Sequence, residues 1–388
     1  MAGIEIQTGM DRRHFLETAA AGATALALGS VDSFGKETGK ERKIRIKPLT
    51  QTVQVPFGDV KALYIMIGHN MWCQWPTEAM GSDPESAIKH LPESIQPDLK
   101  LVCKNEYWKE VTDYASERGI NMLVCDLGEG LFYPSHPELA IPGTWSVEKM
   151  QQEIRRLNSM GMEVIPKLNF STNHNGWMKD YQHMVSSKPY YQMCRDVLSD
   201  VYEIFGHPRY IHLGFDEEDN YDLQKGYTYM MMRCGENWWT DFLYITGIVE
   251  SFGARAMVWS DYGWDHPDFY TRCPKSVIQC PWYYDDSLQG YDPDKMNGRV
   301  RNKVLCYYEL GKNGFDVLGC GSNWVSAYKR RKGVNSDEVM GEIIKLTRRA
   351  VPEDHLMGFL SAPWANCGYQ SHVKRLKEGI DLLIEGCR

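Results

Sequence analysis

Tyr210-Ile211-His212-Leu213-Gly214-Phe215-Asp216-Glu217-Glu218-Asp219 is an apolar, β-prone run that ends abruptly in four consecutive carboxylates. A strand that buries its first half and delivers adjacent acids at its carboxyl end is how a parallel α/β protein sets general acids at the mouth of a pocket. The stretch predicts a strand over 210–215 and a ligand facing the acids after it. Acids in such a place also serve the positive end of a following helix, a use that suits Glu218 and Asp219 better than Asp216 and Glu217.

Outward from this stretch the chain repeats one pattern: a short β-branched or apolar run, a loop rich in Gly, Pro, Asn, Asp or Trp, then an amphipathic helical stretch. That is the βα unit. Strands are predicted over 60–68, 121–127, 163–169, 210–215, 254–260, 276–282, 315–321 and 357–362. Helices are predicted over 106–118, 146–160, 189–205, 234–252, 336–350 and 371–385, with Gly119, Gly161 and Gly253 as left-handed C-caps. Eight alternations predict an α/β fold, the (β/α)8 TIM barrel, with the catalytic barrel spanning 59–388. The irregular segment 283–302 reads as a surface loop in the sixth unit, and 304–310 as an additional strand or the true seventh.

A chain of 388 residues allows one large barrel or two domains. Its 43 Lys+Arg against 51 Asp+Glu argue against a nucleic-acid partner, because phosphate binding needs a clustered cationic face and the cations here are scattered. The short run Lys329 to Lys332 reads as a solvated helix face. Asp11-Arg12-Arg13-His14-Phe15-Leu16, followed by the small, mildly apolar 18–29, reads as a twin-arginine export signal over 1–30, with Ala25-Leu26-Ala27 as a cleavage site. This predicts the twin-arginine export machinery as a partner and a periplasmic or secreted location. Residues 31–58 have the polar, charged composition of a linker. No other stretch approaches the ~20 consecutive apolar residues of a membrane span. The 11 cysteines are an odd number, and Cys125, Cys280, Cys306 and Cys320 lie in apolar runs as expected of buried free thiols, compatible with folding in a reducing compartment before export. No Cys-x-x-Cys pair or Cys/His metal spacing occurs, and no metal or cofactor is predicted.

In a (β/α)8 barrel the carboxyl ends of the strands build the active site. Those ends hold His69, Asn70 and Trp72 after the first strand, Asp126 and Glu129 after the second, and Asn169, Asn173, His174 and Trp177 around the third. The fifth supplies Trp259, Asp261 and Trp264, the sixth Trp282, Tyr283, Tyr284 and Asp285, the seventh Ser322, Asn323 and Trp324, and the eighth Trp364 and Asn366. A lone Trp is usually core filler, but tryptophans recurring at one face of a barrel suit the C–H faces of pyranose rings, with Asp and Asn bonding the hydroxyls. The candidate catalytic residues are Asp216 and Glu217; the candidate sugar-binding residues are His69, Asn169, His174, Trp259, Trp282, Tyr283, Trp324, Trp364 and Asn366. A retaining enzyme with two protein carboxylates needs a second acid close to the first, often from the seventh strand, and 317–324 offers none, so water or the substrate must attack. Asp261, Asp265, Asp285 and Glu129 are candidates for an inverting base.

His212-Leu213-Gly214-Phe215-Asp216-Glu217 resembles the fourth-strand motif of family 20 glycoside hydrolases, the β-N-acetylhexosaminidases, in which His-x-Gly-Gly-Asp-Glu carries the catalytic pair. Val164-Ile165-Pro166-Lys167-Leu168-Asn169 with His174 is similar to the family's third strand, Met257-Val258-Trp259-Ser260 to its fifth, and Trp282 and Trp364 to its sixth- and eighth-strand tryptophans. The resemblance implies hydrolysis of an oligosaccharide or glycoconjugate assisted by the substrate: Glu217 protonates the glycosidic oxygen, and Asp216 orients the 2-acetamido group as its carbonyl attacks the anomeric carbon. The chain departs from the family pattern at Phe215, where the motif has Gly, at Asn169, where it has Asp, and in lacking the first-strand Arg and the seventh-strand Tyr-x-Asp. Three further readings stay open: an inverting glycosidase of other sugar specificity, a metal-dependent sugar isomerase or aldolase using His174, His212, Asp216 and Glu217, and a non-catalytic carbohydrate-binding barrel.

Overall fold

Runs such as Met-Leu-Val-Cys-Asp and Glu-Val-Ile-Pro-Lys, buried at every residue, suit a parallel sheet covered by helices on one face and filled by its own side chains on the other. The computed structural model describes residues 46–388 except 78–79, 81–82, 219–225 and 286–288. Its strands are β1 (Val60–Met66), β2 (Met122–Asp126), β3 (Glu163–Lys167), β4 (Tyr210–His212), β5 (Arg255–Trp259), β6 (Ile278–Cys280), β7 (Val317–Gly321) and β8 (Leu356–Ser361). Each pairs in parallel with the next, and β8 pairs with β1, closing the barrel in chain order. Gly358 sits at that closure with φ +135°, where a Cβ would collide with the Val60 backbone, so the seam requires glycine.

The outer layer is α1 (Asn105–Arg118), α2 (Val147–Ser159), α3 (Lys188–Ile204), α4 (Glu236–Ser251), the short α5 (Tyr262–Asp265) and α6 (Phe269–Arg272), then α7 (Gly298–Lys312), α8 (Ser336–Ala350) and α9 (Gln370–Cys387). Ser146 caps α2 through a side-chain bond to the Lys149 N–H, and Gly119 ends α1 in the left-handed conformation. No helix among the described residues is long and apolar enough to cross a membrane.

Three expectations are corrected. The stretch 304–310 is not a strand but the second half of α7, whose Val304, Tyr307, Leu310 and Gly311 are buried at helical spacing; aromatic and β-branched residues there mimic strand composition, and tertiary packing overrides it. The fourth strand ends at His212 rather than 215, because Gly214 and Phe215 both take positive φ. From Ile46 onward the segment read as linker is a packed strap without helix or strand. There the Gln51 amide donates to the Val164 and Phe205 carbonyls (2.8 and 3.0 Å), and the buried Val55 N–H donates to Glu163 (2.8 Å). The twin-arginine stretch lies outside the described residues. All 11 cysteines are free, with Cys125, Cys280, Cys306 and Cys320 buried as expected.

Candidate active site

The acids follow an abrupt change of backbone. Gly214, Phe215 and Glu217 have φ of +73°, +65° and +58°, three left-handed residues within four. A Cβ on Gly214 would run into the Asn169 amide. For an aromatic residue like Phe215 this conformation costs about 1–3 kcal/mol. Its buried ring offsets the strain, packed on Phe242 (5.1 Å between centroids) and Trp238 (5.9 Å) and under the Arg233 guanidinium (5.1 Å), since burying such a ring contributes about 2–3 kcal/mol. Next in the chain, Glu218 is buried and ion-paired to Arg233, whose Nη1 also lies 2.9 Å from Asp241. Thr172 Oγ1 donates to Glu218 at 2.8 Å. Glu218 therefore anchors the turn; Asp219 lies outside the described residues.

Asp216 and Glu217 are joined through one imidazole. His174 Nδ1 lies 3.2 Å from Asp216 Oδ1 and Nε2 lies 3.4 Å from Glu217 Oε2, ion pairs rather than aligned hydrogen bonds. Burial alone would lower the His174 pKa, but the two facing carboxylates push it up to about 10, so the ring is an imidazolium. Burial alone would raise Asp216, yet the His174 charge, Lys167 and a hydrogen bond from Asn169 Nδ2 (2.8 Å) hold it well below the usual carboxylate range. The Glu217 N–H donates to Asp261 Oδ2 at 2.7 Å, and its carbonyl accepts the Asn173 amide. Burial, and then the charge of Asp216, push Asp261 up to about 8, so it is an uncharged acceptor near neutral pH. Below the acids, the fully buried Lys167 donates to Asp126 Oδ2 at 2.6 Å, and Tyr64 donates to the same oxygen.

Beside the acids opens a cavity of about 480 Å³, walled by Trp72, Trp282, Trp324, Trp364, Tyr284 and His174, a size proper to a small ligand. Trp364 holds φ +49° and donates its indole N–H to Tyr284 OH at 2.9 Å; Trp282 donates to Asp261 at 3.2 Å. Of the residues singled out in the sequence, Asp216, Glu217, His174, Trp282, Trp324 and Trp364 meet in this cavity, and Asn169 stands behind Asp216. Four do not line it. Trp259 is buried against His212 (4.5 Å) and Trp364 (5.7 Å). Asn366 is spent on the Gly368 N–H and His372 (both 2.9 Å). The ring of His69 packs on Trp72 (5.5 Å), and the His69 backbone N–H donates to Glu129 Oε1 (2.6 Å). Tyr283 belongs to a second apolar cluster with Val304 and Tyr307. Tyr284 takes the wall position instead. The period-two rule pointed there, because in extended chain residue 284 shares a face with Trp282 and residue 283 does not.

His174, Asp216 and Glu217 place donor atoms within 4.8 Å of one another, a spacing that can hold a cation. His212 is outside this set; its Nδ1 accepts the Gly214 N–H at 3.1 Å.

No protein-family model matches the chain and no curated protein matches it by sequence. Solved structures do match. An exo-β-N-acetylglucosaminidase of glycoside hydrolase family 20 from Vibrio harveyi superposes with a TM-score of 0.52 at 11% identity, over 84% of this chain and 54% of that one. Dispersin B gives 0.49 at 15% identity over 73% and 95%, and a β-N-acetylhexosaminidase from Bacteroides fragilis 0.49 at 15% over 84% and 65%. The chain thus spans about half the length of the Vibrio enzyme. At such identities the likeness establishes architecture: this chain has the (β/α)8 barrel fold found in family 20 glycoside hydrolases.

Proposed function

We propose that the chain is a glycoside hydrolase acting on terminal 2-acetamido sugars, with Glu217 as general acid and Asp216 as the group that orients the acetamide. One observation carries the reading: an ionised Asp216 and the neighbouring Glu217, linked through His174, line a cavity walled by four tryptophans. Stacking on flat indole faces selects a sugar ring. In the cleavage step Glu217 gives its proton to the glycosidic oxygen as the bond to the anomeric carbon breaks, and the acetamide carbonyl oxygen closes onto that carbon. The amide nitrogen becomes positive as this happens. Asp216, kept anionic by His174 and Asn169, accepts its N–H and stabilises that charge. Water then opens the ring intermediate, with Glu217 taking its proton.

The test is chromophore release from matched aryl β-glycosides with and without a 2-acetamido group. Only the acetamido substrates are cleaved, and Glu217→Gln lowers kcat/KM by about 10²–10⁴-fold; cleavage that ignores the acetamide, or survives the substitution, overturns the assignment. A second reading rests on the donor spacing of His174, Asp216 and Glu217: a cation-assisted reaction on a sugar, which a chelator would abolish. We further propose that the amino-terminal twin-arginine stretch exports the folded chain; replacing Arg12 and Arg13 with lysine and following the protein by cell fractionation checks it.

A further inference from the structure

Glu217 and Trp282 are a shared wall: on one side is the tryptophan-lined cavity, and on the other a smaller recess of about 70 Å³ bounded by Glu218, Asp261, Trp264, Asp265, Arg299 and Lys303. Both cations come from the first turns of α7. Arg299 is tied to Asp265 at 2.8 Å. Lys303 has no such partner among the described residues: its ammonium lies over three rings, 4.4 Å from Trp264, 4.9 Å from Tyr283 and 5.9 Å from Trp282. Cation–π contact fixes where the charge sits but leaves its hydrogen-bonding capacity unused.

We propose that this recess binds an oxyanion substituent, a carboxylate or a sulfate, carried by the leaving group of the substrate. The inference rests on Glu217 being the general acid. That acid must come within about 3 Å of the glycosidic oxygen, and the leaving group departs with that oxygen. Glu217 therefore divides the molecule: the ring that is cleaved occupies the tryptophan cavity, and what lies past Glu217 belongs to the leaving group. A volume of about 70 Å³ holds a few waters rather than a sugar ring, which suits a charged substituent projecting from the leaving group. The local charge agrees. Two of the acids around the recess are already ion-paired, Glu218 to Arg233 and Asp265 to Arg299, and burial with the charge of Asp216 pushes Asp261 up to about 8, so among the described residues the Lys303 charge is balanced chiefly by Glu217. Burial, Lys329 and Arg299 push Lys303 down to about 8, a strain that an arriving anion relieves.

Two measurements on the full chain test this. The first compares kcat/KM for N-acetyl-β-glucosaminides of a neutral nitrophenol, of a carboxylated one and of a sulfonated one. The anionic leaving groups are preferred at low salt, the preference fades as salt is added, and in Lys303→Gln the ratio of anionic to neutral falls about tenfold. A ratio taken within each protein cancels any general damage, and the two anionic substrates separate carboxylate from sulfate. The second needs no catalysis: sodium sulfate, against sodium chloride at equal ionic strength, raises the melting temperature of the native chain more than that of Lys303→Gln. If hydrolysis is absent but the sulfate effect depends on Lys303, the site stands and the catalytic reading falls. If the neutral acetamido substrate is cleaved while neither the ratio nor the sulfate effect responds to Lys303→Gln, the anion site is overturned and the hydrolase reading stands.

Discussion

Replacing Asn169 with aspartate, the residue of the family 20 pattern, is expected to damage this protein. Asn169 is buried, donates Nδ2 to Asp216 Oδ1 at 2.8 Å, and accepts the Ser171 N–H through Oδ1 at 3.0 Å. Asn169→Asp removes that donor and sets a second carboxylate against the first. At 2.8 Å and an effective dielectric of ~20, the repulsion is about 6 kcal/mol, falling to about 4 if the pair relaxes to ~4 Å, or about three to four pKa units. His174 already faces two carboxylates, so it has no spare charge for a third. The new pair then keeps one proton up to about pH 7, where the unfolded chain gives it up near pH 4. A folded-state pKa raised above the unfolded value stabilises below the unfolded pKa and is lost as pH rises through the folded one. Relative to the native chain, Asn169→Asp therefore loses about 4 kcal/mol more at pH 8 than at pH 4, some 8 °C in melting temperature at about 2 °C per kcal/mol. Thermal unfolding of both proteins across this range measures it. A gap of equal size at pH 4 and pH 8 would refute the electrostatic argument. In the proposed reaction the same proton would compromise Asp216 as acceptor for the acetamide N–H, with an expected drop in kcat/KM at pH 5 of roughly a hundredfold.

Arg233→Met leaves Glu218 and Asp241 as unpaired buried carboxylates and costs about 3–5 kcal/mol in urea unfolding; adding Glu218→Gln and Asp241→Asn recovers part of the loss. Asp261→Asn mimics the protonated form that Asp261 holds near neutral pH, where it is pushed up to about 8. Its melting temperature rises relative to the native chain between about pH 5 and 8, because only the native chain pays for keeping that carboxyl protonated. The variant also keeps at least about a tenth of kcat/KM, whereas a 10²–10⁴-fold loss would make Asp261 the base of an inverting mechanism.

Much of the barrel was legible because its signals are local and repeated. Residues 122–126, 163–167 and 317–321 are short apolar runs bounded by turn residues, and Ser146 and Gly119 mark helix ends by their own chemistry. The acidic turn was legible for a similar reason, since adjacent acids at a strand end stand out in the chain. What escaped is set by distant contacts. Nothing near Glu218 in the chain announces that Arg233 and Thr172 bury it. Nothing in Trp259 says that it will pack beneath the cavity on His212 while Trp364 lines the wall. Lys303 looked like one more scattered cation because α7 was read as loop and strand, so the face that brings it beside Glu217 had no geometry.

The Phe215 ring has a further consequence. It sits between the two acids and the outer layer of the molecule, wedged against Trp238 and Phe242 of α4. A glycine at that point would leave the turn steered only by its neighbours in the barrel; an aromatic wedge instead makes the aim of Asp216 and Glu217 depend on α4 staying seated. Local opening precedes global unfolding when its free energy is smaller, so a loosening of α4 alone would turn Asp216 and Glu217 while the barrel strands stay paired. In this chain the grip of one helix on one ring holds the acidic turn in place.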